Sequence, residues 1–228
     1  MINTQRLGGI SALVAAGTFV FGIVLFATSL SDYTTGDPST AESVAFVQDN
    51  QTVLYIWNLV IFIIFGIALV PLVIALDERL RENAPTAAHI ARAFGIIWVG
   101  LVIAAGMIAN LGLGTVDDLA GTDQAQAEAV WSALDAVQNG IGGGNEIVGA
   151  LWVLLISWIA IRSHALPAGL NYLAIASGVA GLITIVPALE AAGAVFGIGL
   201  IIWFAWLGVV LLKEEEHVAL GQPSVDDS

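Results

Sequence analysis

Long apolar runs separated by short polar stretches dominate the chain. Six such runs lie near residues 8–30, 53–76, 93–113, 141–161, 168–188 and 193–212. Each approaches the ~20 residues that cross roughly 30 Å of hydrocarbon at about 1.5 Å per helical residue. In lipid every backbone polar group must be satisfied internally, which an α-helix does within one segment. The pattern therefore predicts an all-α fold, an integral membrane bundle of six transmembrane helices occupying residues 1–213. The first run ends in Ala27-Thr28-Ser29, as a secretory leader could. Its apolar part, however, is longer than the about 7 to 15 residues of a leader's core, so it is expected to be a retained span.

The polar stretches are uneven. Residues 114–140 form the longest, and within them Asp123 to Val137 has the Ala-rich composition and the Trp131, Leu134, Val137 spacing of a short amphipathic helix. It is expected either to lie on the outer surface or to extend the fourth span outward. The end of the chain, residues 214–228, is polar with Gly and Pro and is expected to be a disordered cytoplasmic tail. Tyr55, Trp57 and Trp131 on one side, with Trp98, Trp158, Trp203 and Trp206 toward the other, read as interfacial aromatic belts. Gly66 with Pro71, and Gly181 with Pro187, fall at comparable places in the two halves and resemble the paired interrupted helices of inverted-repeat transporters.

Charge fixes an orientation for these spans. All six basic residues, Arg6, Arg79, Arg81, Arg92, Arg162 and Lys213, fall in the N-terminus, the second loop, the fourth loop and the C-terminus. Alternate loops sorted in this way predict cytoplasmic termini by the positive-inside rule. The chain of 228 residues is 58% hydrophobic and 11% charged, with a formal charge of −13. Its opposite face is wholly acidic, so nucleic acid is not an expected partner, because phosphate binding needs a basic surface. The lipid bilayer of the cell membrane is. No Cys is present, which removes disulfides and thiolate chemistry.

Polar side chains inside spans are the candidate chemistry, since each must find a partner or a watery cavity. Glu146 lies 16 residues before Arg162, Asn110 lies 18 after Arg92, Asn58 lies 19 before Asp77 and Thr184 lies 17 after Pro167. All four therefore stand roughly 24 to 29 Å from the inner boundary, in one layer near the outer surface. The stretch Asn139-Gly140-Ile141-Gly142-Gly143-Gly144-Asn145-Glu146 surrounds the carboxylate with small residues. Gly142, Gly143 and Gly149 share its helical stripe and let another backbone approach, so Glu146 should face the bundle interior, against the second or third span. So many glycines could also leave the helix irregular there, with backbone groups open to a ligand. Gly193 and Gly197 form a GxxxG packing face, within the subunit or in a homo-oligomer.

Two functions follow. Glu146, with Asn145, Asn110, Asn58 and Thr184, could bind or pass a cation, a proton or a small cationic solute drawn in by the acidic face. The same residues could instead be a hydrogen-bonded cluster that fixes helix register in a structural subunit of a larger membrane complex. No Lys, His or Asp lies within a span, and the Gly-rich run lacks the Lys-Ser/Thr ending of a phosphate loop. Neither catalysis, nor a metal, nor a cofactor is expected.

The motif GGGNEIVGALWVLLISW, then Arg162-Ser163, Leu166-Pro167, Asn171-Tyr172-Leu173, Gly178 to Pro187 and Phe196-Gly197 before Trp203, is similar to the prokaryotic membrane proteins grouped as domain of unknown function 4386. The likeness is best from Trp131 to Lys213, and Arg6-Leu7-Gly8-Gly9 extends it to the first span. It implies a six-helix integral membrane protein and carries no activity or site residues with it.

Overall fold

Helix-forming apolar runs with few breakers become helices longer than the apolar runs themselves. The computed structural model describes residues 3–30, 38–189 and 191–219, with no strand among them. The helices are α1 (Thr4–Ser29), α2 (Thr40–Asn58), α3 (Phe65–Leu80), α4 (Pro85–Ala120), α5 (Gln124–Ser163), α6 (Ala168–Ile183) and α7 (Ala192–Ala219). A π-helical segment, Leu59–Ile64, joins α2 to α3 without a break. Among the described residues five helical stretches are long and apolar enough to cross a membrane: Thr4–Ser29, Thr40–Leu80, Pro85–Ala120, Glu146–Ser163 and Ala192–Lys213.

The fifth expected span, near 168–188, is shorter than the pattern suggests. Helix α6 ends at Ile183, where Thr184 donates its hydroxyl to the Gly181 carbonyl at 2.6 Å. Pro187 then opens a separate 3-10 turn, Pro187–Leu189, because it has no N–H to continue the helical ladder. Pro71, by contrast, sits inside the unbroken α3. The two Gly/Pro positions are thus not a matched pair of interruptions.

Polar loops are shorter than expected for identifiable reasons. Ser39 and Glu42 form a capping box, each accepting from the other's backbone N–H, which starts α2 at Thr40 rather than near residue 53. The 114–140 stretch is almost entirely helical. Helix α4 continues to Ala120, Gly121 and Thr122 turn the chain, and the Asp123 carboxylate accepts from Gln126 N–H at 3.1 Å to cap α5. From Gln124 the backbone stays helical to Ser163, so one helix runs from the amphipathic stretch through the fourth apolar run and the glycine run does not interrupt it. The packing of Gly142, Gly143 and Asn145 lies outside the described residues. The polar tail is helical as far as Ala219, and residues 220–228 are likewise outside the described residues.

The chain divides into two compact units. One contains Met1–Gly17, Ile67–Val99 and Glu146–Ser228. In it, glycines let helix backbones meet: a Cβ on Gly9 of α1 would lie 3.1 Å from the Gly208 carbonyl of α7, and one on Gly208 would lie 2.9 Å from the Gly9 carbonyl. Its core is aromatic. Trp98, Trp152, Trp203 and Phe204 are all buried, with Trp152 and Trp203 edge to face at 5.7 Å and Trp98 stacked on Phe204 at 6.4 Å. Trp98 and Trp203 are therefore core residues and not members of an interfacial belt; Trp158 and Trp206 remain exposed. The physical reason is local: Gly95 and Gly149 leave room for the rings, since a Cβ on Gly95 would stand 2.8 Å from Trp152 Nε1 and one on Gly149 2.7 Å from the Trp98 ring.

The same unit holds a polar network at helix ends. Arg79 donates from Nε to the Ala165 carbonyl at 2.9 Å, and its Nη2 reaches the same oxygen. That carbonyl belongs to the α5–α6 turn, where His164 takes a left-handed φ of 54° and Asn171 Nδ2 holds the Leu166 carbonyl at 3.1 Å. Buried Asp77 accepts from Arg92 Nη1 at 3.3 Å. Arg79→Ala removes a charged donor from a partly buried carbonyl, a loss of about 1.5 kcal/mol. A melting temperature unchanged from wild type in detergent would show that Asn171 alone fixes the turn.

The second unit contains Thr18–Gly66 and Gly100–Asn145. Val44, Val47, Leu113, Val116 and Ala127 form its buried core, with Trp131 and Leu134 packed against them. Trp57 Nε1 donates to the Gly22 carbonyl at 3.1 Å, and Phe19 meets Phe65 edge to face at 4.7 Å. Gly22, Gly66 and Gly106 again mark close contacts, here with Ile61, Ile103 and Phe62.

Candidate functional site

Glu146 is half-buried on α5, and its carboxylate approaches the first turn of α7. A Cβ placed on Gly193 would stand 2.9 Å from Glu146 Oε1 and 3.7 Å from Thr184 Cγ2. The carboxylate, the α6 C-terminus and the α7 N-terminus thus share one small region, and any side chain larger than hydrogen at 193 would compete with the carboxylate for it. Gly181 tightens the same corner, because a Cβ there would lie 3.1 Å from the Glu146 carbonyl and 2.8 Å from Phe196. Gly149 packs on Trp98 and Phe196, whereas Gly197 has open space where a Cβ would be. The structure therefore brings Glu146 and Thr184 together beside Gly193.

Asn58 and Asn110 belong to the other unit. Asn110 Oδ1 is buried with no hydrogen-bond partner among the described residues. Asn58 is 6% exposed, immediately precedes the π-helical segment, and makes no side-chain cap hydrogen bond. Single π-turns inside α-helices occur often at functional sites, because they shift the register of the residues beside them. Asn58 lines a cavity of about 160 Å³ enclosed by α2, α4 and α5, together with Trp57, Trp131, Leu134, Asp135 and Gln138. A more open hollow of about 220 Å³ shares Trp131 and Asp135 and is otherwise lined by Pro38, Thr40, Ser43 and Ser132.

The electrostatics of this second unit are one-sided. Between residues 18–66 and 100–145 the chain carries nine acidic residues, Asp32, Asp37, Glu42, Asp49, Asp117, Asp118, Asp123, Glu128 and Asp135, and neither Lys nor Arg. Among the described residues no group of three His, Cys, Asp or Glu could hold a metal ion.

The family model for the domain of unknown function DUF4386 matches residues 7–213, nearly the whole chain. The chain belongs to the DUF4386 family. No curated protein and no solved structure is detectably similar to it. Residues of this DUF4386 protein whose places the sequence did not suggest are Asp77, Trp152 and the cavity residues Asp135 and Gln138. Trp131, Leu134, Asp135 and Gln138 fall at helical i, i+3, i+4 and i+7 spacing, so a continuous α5 would have aligned them. The amphipathic helix expected over Asp123 to Val137 runs through Trp131, Leu134 and Val137, a stripe that leaves out Asp135 and Gln138.

Proposed function

We propose that this DUF4386 protein is a multi-pass membrane protein of the cell membrane that binds and passes a small cation or proton, with Glu146 as the carboxylate that receives it. The observation that carries this reading is the lodging of Glu146 Oε1 against Gly193 and Thr184, where two helix ends converge on a half-buried charge. A half-buried carboxylate beside two converging helix ends is a group whose charge a proton or a cation would neutralise. The nine acidic residues between 18–66 and 100–145, with no Lys or Arg among them, would raise the local concentration of cations around the protein. The sorting of all six basic residues into alternate connections supports cytoplasmic termini, which would turn the acidic segments outward.

Glu146→Gln removes the charge and keeps the shape. In liposomes containing the purified protein, cation or proton flux is expected to fall at least about tenfold in this variant, the scale of one lost charge contact in a desolvated site. Wild-type flux in a folded Glu146→Gln protein would refute the role of Glu146. The open space at Gly197, with Val195, Ile198 and Ile202 exposed beside it, favours a second reading as an associating structural subunit. Absence of flux in wild type and variant alike would support that reading.

A further inference from the structure

The cavity enclosed by α2, α4 and α5 carries an inference that does not depend on Glu146. We propose that it is a binding site for a small organic ammonium ion, held by the Asp135 carboxylate and the Asn58 amide against the rings of Trp57 and Trp131. Its volume of about 160 Å³ corresponds to roughly five waters at about 30 Å³ each, room for a molecule of a few heavy atoms.

The charge of the ligand follows from the lining. Asp135 is the one ionisable group on the cavity wall among the described residues, and residues 18–66 and 100–145 hold no Lys or Arg that could greet an anion. An inorganic cation of the Ca²⁺ type would need about six oxygen ligands. The cavity offers one carboxylate and two side-chain amides, on helices whose carbonyls are committed to the backbone ladder. Two indoles and several aliphatic side chains suit an alkylated ammonium instead, whose diffuse charge is attracted to ring faces.

Asn58 supplies the second, independent indication. The residue is 6% exposed, lines the cavity, and makes no side-chain cap hydrogen bond to the helix that follows it. An amide on the wall of a cavity can donate and accept, so a ligand with a hydroxyl or carbonyl beside its ammonium would pair with it. The adjoining hollow shares Asp135 and Trp131 with the cavity, and gives the charged end a route past the exposed carboxylate.

Choline and its uncharged isostere 3,3-dimethylbutan-1-ol test this assignment, titrated into the purified full chain with heat and tryptophan fluorescence as readouts. Choline is expected to bind saturably, the isostere at least about tenfold more weakly, and Asp135→Asn to lose choline affinity by a similar factor. Asn58→Leu is expected to weaken choline binding as well. Glu146→Gln should bind choline as wild type does, so failure here and failure of the flux reading are separable. No saturable binding by folded protein, equal affinity for the isostere, or unchanged affinity in Asp135→Asn would each overturn the proposal. Should Asp135→Asn fail to fold, the choline-to-isostere ratio on the wild type decides.

Discussion

Trp203→Ala is expected to destabilise the protein by about 3 kcal/mol, the lower end of the range for emptying a buried aromatic site. Trp203 is fully buried, packs edge to face on Trp152, and lies 5.3 Å from Phe204 between ring centroids. The lower end applies because unfolded helices in a bilayer rest in lipid rather than water, so lost packing contributes and water transfer does not. The surrounding rings cannot collapse into the space without breaking their own stacking, so a cavity remains. Trp203→Phe is the informative companion. The indole Nε1 of Trp203 has no acceptor among the described residues, so removing it forfeits no hydrogen bond, and Phe should stay within about 1 kcal/mol of wild type. Unfolding in mixed detergent micelles measures both. A Trp203→Ala protein as stable as wild type would mean that the aromatic cluster does not anchor this unit.

The second large effect distinguishes glycines that share a helical context. Gly149→Ala places a Cβ 2.7 Å from the Trp98 ring and 3.2 Å from Phe196. Rigid rings on both sides cannot yield by a flexible tip, so the overpacking is expected to cost about 1–3 kcal/mol. Gly197→Ala meets nothing within 4 Å and gains helix propensity, so it should be neutral or stabilising by up to about 1 kcal/mol. The same unfolding measurement compares them. If Gly197→Ala destabilises as much as Gly149→Ala, or converts an oligomer to a monomer, the Gly197 face is an interface between subunits, in line with the structural-subunit reading. Equal stability of Gly149→Ala and wild type would contradict the close approach of α4 and α5 at Trp98.

Much of the helix inventory was legible because hydropathy reports on where a chain can avoid water. The apolar runs located α1, α6 and α7 to within a few residues at one end or the other, and the amphipathic stretch from Asp123 was recognisable from its spacing. What misled was the equation of polar with loop. Glu42, Asp49 and Asp117 to Leu119 are helical, because a capping box and a good helix former need no apolar face. Equal depth likewise did not mean proximity: Glu146 and Thr184 meet at Gly193, while Asn58 and Asn110 belong to a different packing unit.

The amino-acid sequence by itself determined the all-α class, the family and the sorting of charge, since composition and periodicity act along the chain. Only tertiary structure decided which side of each helix looks inward. Trp98 and Trp203 became core because Gly95 and Gly149 of neighbouring segments made room for the ring cluster. Asp135 joined Asn58 because an unbroken α5 carried its stripe onto α2. Such facts depend on the rotation of one helix against another, which is set by the shapes of residues distant in the chain and leaves no local periodic trace.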